Sequence, residues 1–423
     1  MSISLRIVFC LAVIFSINSL ATAQTDSVNY ASLAHEEILT GKADEFHLFD
    51  EAFYQNQLFL LGESHGIAKP QEVDLRFLTH LNKRVGVRYY IAEVDASQAH
   101  YLNQYLATGN QATLTKVFRI WVAQQAQWAN KEYRHKIEAI RDLNQTLPKN
   151  RQIQFVGIDR IQDKTLVAEH LSELLGKHEH SQSTQPLADS LIAQLVDNRP
   201  DSVAANTALV WLAHWTSNEA ANTKFWGKDA ETLHHLLANV VYLKAIRSRE
   251  VTIFTNFKAI LPSLKQEKLY GFWGFFHVLQ SPLKVGVKPF ACQVKESDLY
   301  LHDKIVSITF SYLDSYTMTP TKFMPPFLQD KGKAFTRVDK FNNDSDLMKS
   351  EGIATIRPVT KPHSVTLFAL DRPGSFARKT PIRITYGAAM PQKLEFSPTL
   401  PMTSYFQYLL LVRDSEMTTP LQP

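Results

Sequence analysis

The chain has 423 residues, 45% hydrophobic and 20% charged, a size and balance that suit one large α/β unit with insertions and exclude a disordered or fibrous chain. Its formal net charge of +4 is spread along the whole length without a basic arm or stripe, so no nucleic-acid partner is expected.

In chain order, the first segment reads as a leader. "MSISLR" is a short basic stretch, "IVFCLAVIFSINSL" is an apolar run too short to span a bilayer comfortably, and "ATAQ" supplies a small-x-small pattern with a cut after Ala23. A secretory signal peptide over 1–23 implies a periplasmic or secreted protein. No later stretch is apolar enough for a transmembrane helix, so no integral membrane segment is expected after cleavage. Loss of the leader removes Arg6 and lowers the net charge from +4 to +3. Cys10 lies inside the leader, without the small residues of a lipoprotein signal before it. The remaining thiol, Cys292, has no partner for a disulfide, so the exported chain must draw its stability from core size.

The mature chain, 24–423, reads as a single α/β domain. "QLFLLG" (57–62) is a short apolar run ended by Gly, the pattern of a buried strand. An amphipathic helix is expected over 70–85, with Pro70 in its first turn and Val73, Phe77, Leu78 and Leu81 on one face. "YYIAEV" (89–94) is the next strand, and Ser97 is a candidate N-cap for the helix after it. Residues 111–145 have a helical pattern, and "QIQFVGID" (152–159) is a third strand. A mostly helical insertion is expected over about 163–262, broken by a polar loop at 176–185. "KLYGFWGFFHV" (268–278) is the fourth strand. Beyond 285 the chain turns β-rich, with candidate strands at 304–310, 364–370 and 406–412 and an irregular stretch at 314–362. Strands alternating with helices point to a three-layer, mostly parallel sheet with helices on both faces.

Polar residues recur where the strands end. The first strand delivers Glu63 and His65, the second Glu93, the third Asp159 and Arg160, and the fourth His277. Ligands in open parallel sheets bind beyond the carboxyl ends of the strands, because the loops there share one crevice. Imidazoles and carboxylates gathered at such an edge suit proton transfer or metal binding. "GESH" (62–65) and "GFFH" (274–277) share the form Gly-x-x-His, each ending an apolar run. Gly allows a sharp turn or a close approach, and the His then reaches the crevice.

These segments resemble the erythromycin esterase-like family, with marks of the related Tiki/TraB and ChaN-like proteins. The resemblance rests on "LGESHG", "YYIAEVD", "QFVGIDRIQ", "RSREVTIFTNFKAIL" (247–261), "KLYGFWGFFHV" and "YFQYLLLVRDSEMTTPL", in that order along the chain. It implies a three-layer α/β fold with a helical insertion. It also implies that His65 is a base activating water toward a lactone or ester. Glu63 and Glu93 would be its partners, Arg249 and His277 electrostatic and hydrogen-bonding groups, and Asp159, Arg160 and Asn256 support. Only Ser64 separates Glu63 from His65, and the last motif is "GFFH", which brings these two sites closer to the Tiki/TraB and ChaN-like pattern.

The residue types suit hydrolysis independently. A histidine titrates near working pH, and a permanently charged Arg249 can stabilise an oxyanion. There is no Gly-x-Ser-x-Gly elbow, so no acyl-enzyme is required, and Ser64 reads as a small turn residue. No cofactor is expected on this reading, and the partner is a small-molecule or acyl-type substrate. Two alternatives remain. Glu63, His65, Glu93 and His277 could hold a divalent metal for a peptidase or hydrolase of Tiki/TraB type. Alternatively, the crevice could bind haem or another small ligand. In this reading Trp121, Trp128, Trp211, Trp215 and Trp226 roof the site, with Phe272, Trp273, Phe275 and Phe276 beside it. The "KHEH" of 177–180 and the adjacent His234 and His235 read as surface residues.

Overall fold

Residues 58–63 show how sequence sets the architecture. Along this strand Leu58 and Leu60 join one apolar cluster, while Phe59 and Leu61 join another on the opposite face. Successive strand side chains point to opposite faces, so a run that is apolar at every position must be covered on both. Tyr89 and Ile91 alternate with Tyr90 and Ala92 in the same way. A strand covered on both sides belongs inside a three-layer fold.

The structure is a computed structural model and describes residues 28–39, 46–178, 184–245, 247–388, 390 and 393–422. The leader expected over 1–23 lies outside these residues. In chain order the strands are β1 (His35–Glu37), β2 (Leu58–Glu63), β3 (Tyr89–Ala92), β4 (Gln154–Gly157), β5 (Leu269–Gly274), β6 (Ile305–Leu313), β7 (Thr317–Pro320), β8 (Phe335–Val338), β9 (Met348–Ser350), β10 (Val365–Ala369), β11 (Ile384–Tyr386) and β12 (Tyr408–Arg413). Eight of them form one sheet in the order β1-β10-β12-β6-β2-β5-β3-β4. From β12 to β4 every pairing is parallel, and β10 and β1 close one side antiparallel. The fold is α/β with a mostly parallel sheet.

Helices Lys69–Val85, Ala96–Thr108, Gln111–Gln124 and Lys131–Thr146 cover one face, and Arg249–Ile260 and Phe290–Lys295 help cover the other. Between β4 and β5 the insertion contributes Lys164–Leu175, Gln185–Val196, Asp201–Ser217, Glu219–Trp226 and Ala230–Tyr242. These helices bury a separate apolar cluster that contains Trp211, Trp215 and Trp226. Among the described residues no helix is long and apolar enough to cross a membrane.

Several local expectations need correction. Asp95, not Ser97, caps the helix Ala96–Thr108: its carboxylate accepts the N–H groups of Ser97 and Gln98, and Gln98 reaches back in a capping box. A carboxylate two positions earlier competes better for the free amides of the first turn. The expected fourth strand stops at Gly274, and Phe275–Val278 continue as a 3-10 turn. The stretch 314–362 is not wholly irregular, since β7 pairs with β8, and β9 pairs with β11 from further along the chain. Of the His residues read as surface groups, His234 is exposed, but His235 is half-buried and contacts Asn239. His178 lies 3.1 Å from Asp229 and packs on Trp226. Half of the polar loop expected at 176–185, residues 179–183, lies outside the described residues.

The last described residues return to the sheet edge. Ile67 bridges Met417, Asn130 bridges Pro420, and the Gly66 carbonyl accepts the N–H groups of both Met318 and Thr418.

Candidate active site

β2 and β5 are neighbours in parallel register, with Gly62 opposite Trp273 and Glu63 opposite Gly274. The two Gly-x-x-His motifs therefore end side by side, offset by one residue. β3 flanks β5 and ends at Ala92 opposite Phe272, which brings Glu93 to the same edge. Gly274 is needed as glycine: a Cβ there would lie 3.1 Å from His65 Nε2 and 3.5 Å from His277 Cδ2. The imidazoles can approach the strand end only because that position carries no side chain.

Three of the expected residues form one contact chain. Glu63 is buried, and its Oε1 lies 3.0 Å from His65 Nδ1. A hydrogen bond donated by Nδ1 assigns the tautomer that leaves Nε2 as the acceptor. Nε2 faces Glu93 Oε2 at 3.9 Å, too far for a direct hydrogen bond and suited to an intervening water. Glu93 is held from two sides: Arg249 Nη2 donates to Oε1 at 2.6 Å, and the Gly274 N–H donates to Oε2 at 2.8 Å.

The guanidinium links the remaining groups. Arg249 donates from Nε and Nη2 to the two oxygens of Asp159, at 3.0 and 2.5 Å, the bidentate geometry that a planar fork favours. Its Nη1 lies 3.2 Å from His277 Nε2. His277 is largely buried, with Nε2 3.6 Å from Glu93 Oε1. Its Nδ1 lies 2.8 Å from Glu250 Oε1 but finds no well-aligned hydrogen-bond partner, so the contact with Glu250 is mainly electrostatic. Asn256 is buried and donates to the carbonyls of Ile158 and Asp159, which fixes the end of β4. Arg160 is exposed, and it joins the cluster through a backbone N–H to Asp159. Ser64 is also exposed, and its N–H donates to the Tyr312 hydroxyl.

The charges shift one another. Burial pushes the Glu63 carboxyl up, against its contacts with His65 and Lys136. For His65 burial opposes protonation, but the Glu63 hydrogen bond and the two carboxylates outweigh it and raise the imidazole above its ordinary value. This direction fits a ring that is still about a quarter exposed, at 26%. Burial also opposes the Glu93 charge, yet His277, His65, Arg249 and the Gly274 N–H bring it down to about 2. Arg249 stays charged despite burial, through Asp159 and Glu93.

Sequence reasoning missed an inner layer behind Glu63. Gln71 Nε2 reaches both Glu63 oxygens at 3.4 Å, and Gln71 Oε1 accepts from Lys136 Nζ at 2.8 Å. Lys136 is buried against Asp74, which also accepts from the hydroxyls of Tyr90 and Tyr270. Gln162 and Gln127 were missed as well. Gln162 donates to Asp159 and to the Glu93 carbonyl, and Gln127 donates to the His65 carbonyl.

Two cavities meet at His65. One, of about 40 Å³, lies among Glu63, Glu93, Gln162, Arg249, Trp121 and Trp128. The other, of about 640 Å³, is lined by Ser64 and mostly apolar residues, with Phe275 and Phe276 among them. Trp121, Trp128, Phe272 and Trp273 do lie at the site, but Trp211, Trp215 and Trp226 line neither cavity. Their helices need that apolar surface for their own packing.

No protein-family profile and no curated protein matches the sequence. Solved structures do match. A Bacillus cereus protein superposes with a TM-score of 0.67 at 15% identity, over 94% of this chain and 96% of that one. The erythromycin esterase EreC, a histidine-to-asparagine variant in its open conformation, gives 0.63 at 14% identity, over 90% and 98%. The chain has the fold of an erythromycin esterase. A succinoglycan biosynthesis protein shares that fold with a TM-score of 0.60 at 14% identity, over 93% and 97%.

The residues named for a divalent-metal site are Glu63, His65, Glu93 and His277. Among the described residues no group of three or more His, Cys, Asp and Glu side chains is placed to share an ion. Glu63 and His65 face each other, and the guanidinium of Arg249 supplies the positive charge between Glu93 and His277.

Proposed function

We propose that the protein is an exported hydrolase in which His65 activates a water against an ester, lactone or related acyl carbon. The observation that carries this reading is the position of His65. Its Nδ1 is held by a buried carboxylate, and the ring lines a small cavity, large enough for a few waters, that Glu93, Gln162 and Arg249 share with aromatic side chains. The water gives its proton to Nε2 while its oxygen bonds the carbonyl carbon. The carbonyl oxygen takes the negative charge, and Arg249 is the nearby fixed cation that offsets it. The acyl C–O bond then breaks, and the imidazolium returns its proton to the leaving oxygen. Glu63 keeps the tautomer, Glu93 orients the water, and His277 supports Arg249 and Glu93. General-base assistance of this kind contributes ~10²–10⁴-fold. Export by the 1–23 leader belongs to the same proposal, and the mass of the mature chain, expected to start at Gln24, tests it.

The test is a panel of ester, lactone and peptide substrates, run with and without chelator on the wild type and on His65→Ala. The proposal expects chelator-insensitive turnover of an ester or lactone that His65→Ala loses. Equal background rates in both proteins would sink it. A Soret band on adding haem, with no turnover, would favour a binding protein.

A further inference from the structure

The larger cavity has a chemical character of its own. Phe276, Phe310, Phe396, Phe406, Met348 and Met402 line it, brought together from the turn after β5, from β6 and from the chain around β9 and β12. Methionines and phenylalanines make a deformable, apolar wall. Besides His65, its charged side chains are Glu351 and Arg383, and these pair with each other at 3.3 Å. The wall therefore offers no unpaired charge to a carboxylate or an ammonium group.

Two hydroxyls on this wall are unmatched, those of Thr309 and Thr319. Thr309 is fully buried, lines the chamber, and its hydroxyl has no hydrogen-bond partner in the protein. A buried hydroxyl without a partner is costly, and a turn of the side chain toward the chamber would let a ligand oxygen satisfy it. Thr309 pairs with Gly62 across β2 and β6, one residue before Glu63, so this hydroxyl belongs to the end of the chamber near the reacting groups.

We infer that the chamber seats the uncharged apolar chain of an acyl ester, with the ester group at His65 and one of its oxygens on Thr309. This rests on the hydrolase reading and names its substrate class. His65 lines both cavities, so the water its Nε2 activates and the ester carbon that water attacks can meet beside the imidazole while the acyl chain runs into the 640 Å³ chamber. The segments between 314 and 400 then have a function, because they supply much of the chamber.

The experiment measures kcat/KM for 4-nitrophenyl acetate, butanoate, octanoate and dodecanoate. Each buried methylene is worth up to about fourfold, so octanoate should exceed acetate by at least about tenfold. Ser311→Phe, which fills the chamber, should bring octanoate down to the acetate level. In parallel, the uncharged dye N-phenyl-1-naphthylamine should fluoresce on binding His65→Ala and be displaced by dodecanoic acid, a result independent of whether Ser311→Phe folds. A flat series with no dye binding, while acetate is still cleaved in a His65-dependent way, overturns the chamber inference and leaves the hydrolase reading standing. Dye binding without turnover of any ester overturns the hydrolase reading instead.

Discussion

Glu93 and Arg249 meet at 2.6 Å inside the sheet edge, and neither is satisfied by the other alone. Glu93 also takes the Gly274 N–H, and Arg249 also takes both oxygens of Asp159. The pair is thus a junction between β3, β4, β5 and the helix Arg249–Ile260. Arg249→Lys keeps the charge but loses the fork. A single ammonium cannot serve Glu93, Asp159 and His277 in this geometry. We expect kcat to fall ~10²–10³-fold with a small change in KM, as for loss of an oxyanion donor. Steady-state kinetics with the best ester of the panel checks it, and a fall of less than threefold contradicts the role.

Glu93 also sets an acid limit on stability. Its carboxyl is depressed from 4.5 to about 2, so its contribution is complete above pH 4.5 and is lost as the pH falls through about 2. Glu93→Gln should lower stability at neutral pH by up to ~3 kcal/mol and flatten the stability curve between pH 4.5 and 2. Urea unfolding at several pH values measures this.

His65 should control the pH–rate profile. Its imidazole is raised above its ordinary value, and a general base works only when unprotonated. Activity should therefore increase with pH, with a midpoint above 6.5. Removing the carboxylate charge in Glu63→Gln should move that midpoint down and lower kcat. A midpoint below 6.5 in the wild type would contradict the base assignment.

Gly274→Ala tests the close approach. The added methyl would meet His65 Nε2 at 3.1 Å, so the imidazole must shift by a few tenths of an ångström. Small misplacements of a reacting group are costly, and kcat should drop by roughly 10–10²-fold while the melting temperature changes little. Crystallography of the variant would show whether the ring has moved.

Lys136→Met should damage the fold more than the chemistry. Lys136 and Asp74 are both buried, and removal of one partner leaves an isolated charge. The expected loss is ~3–5 kcal/mol, and Lys136→Met with Asp74→Asn should recover part of it. Urea unfolding of the single and double variants measures the coupling.

Much of this was legible in the sequence because it followed local rules. Apolar runs ended by Gly marked β2 and β5, and strand-end Glu63, Glu93 and His277 pointed to one edge. The inner layer followed a rule that was not applied. Asp74 falls on the stripe of Pro70, Phe77, Leu78 and Leu81, and Lys136 falls beside Tyr133, Ile137 and Ile140. A charge on an apolar stripe signals a buried partner, and here the two charges found each other. Gln127 and Gln162 carried no such signal, since their roles depend on loops whose paths tertiary contacts decide. Trp211, Trp215 and Trp226 misled for a related reason: composition records aromatics but not which apolar cluster they enter.

The carbonyl of Gly66 accepts from Met318 and Thr418, residues about 250 and 350 positions along the chain. The loop that carries His65 is therefore fastened by its most distant neighbours. Contacts between residues far apart in sequence close late, because the intervening chain must be ordered first. During refolding, helix content should return before catalytic competence, and the recovery of activity should track the docking of the 414–422 segment rather than the formation of the sheet's centre.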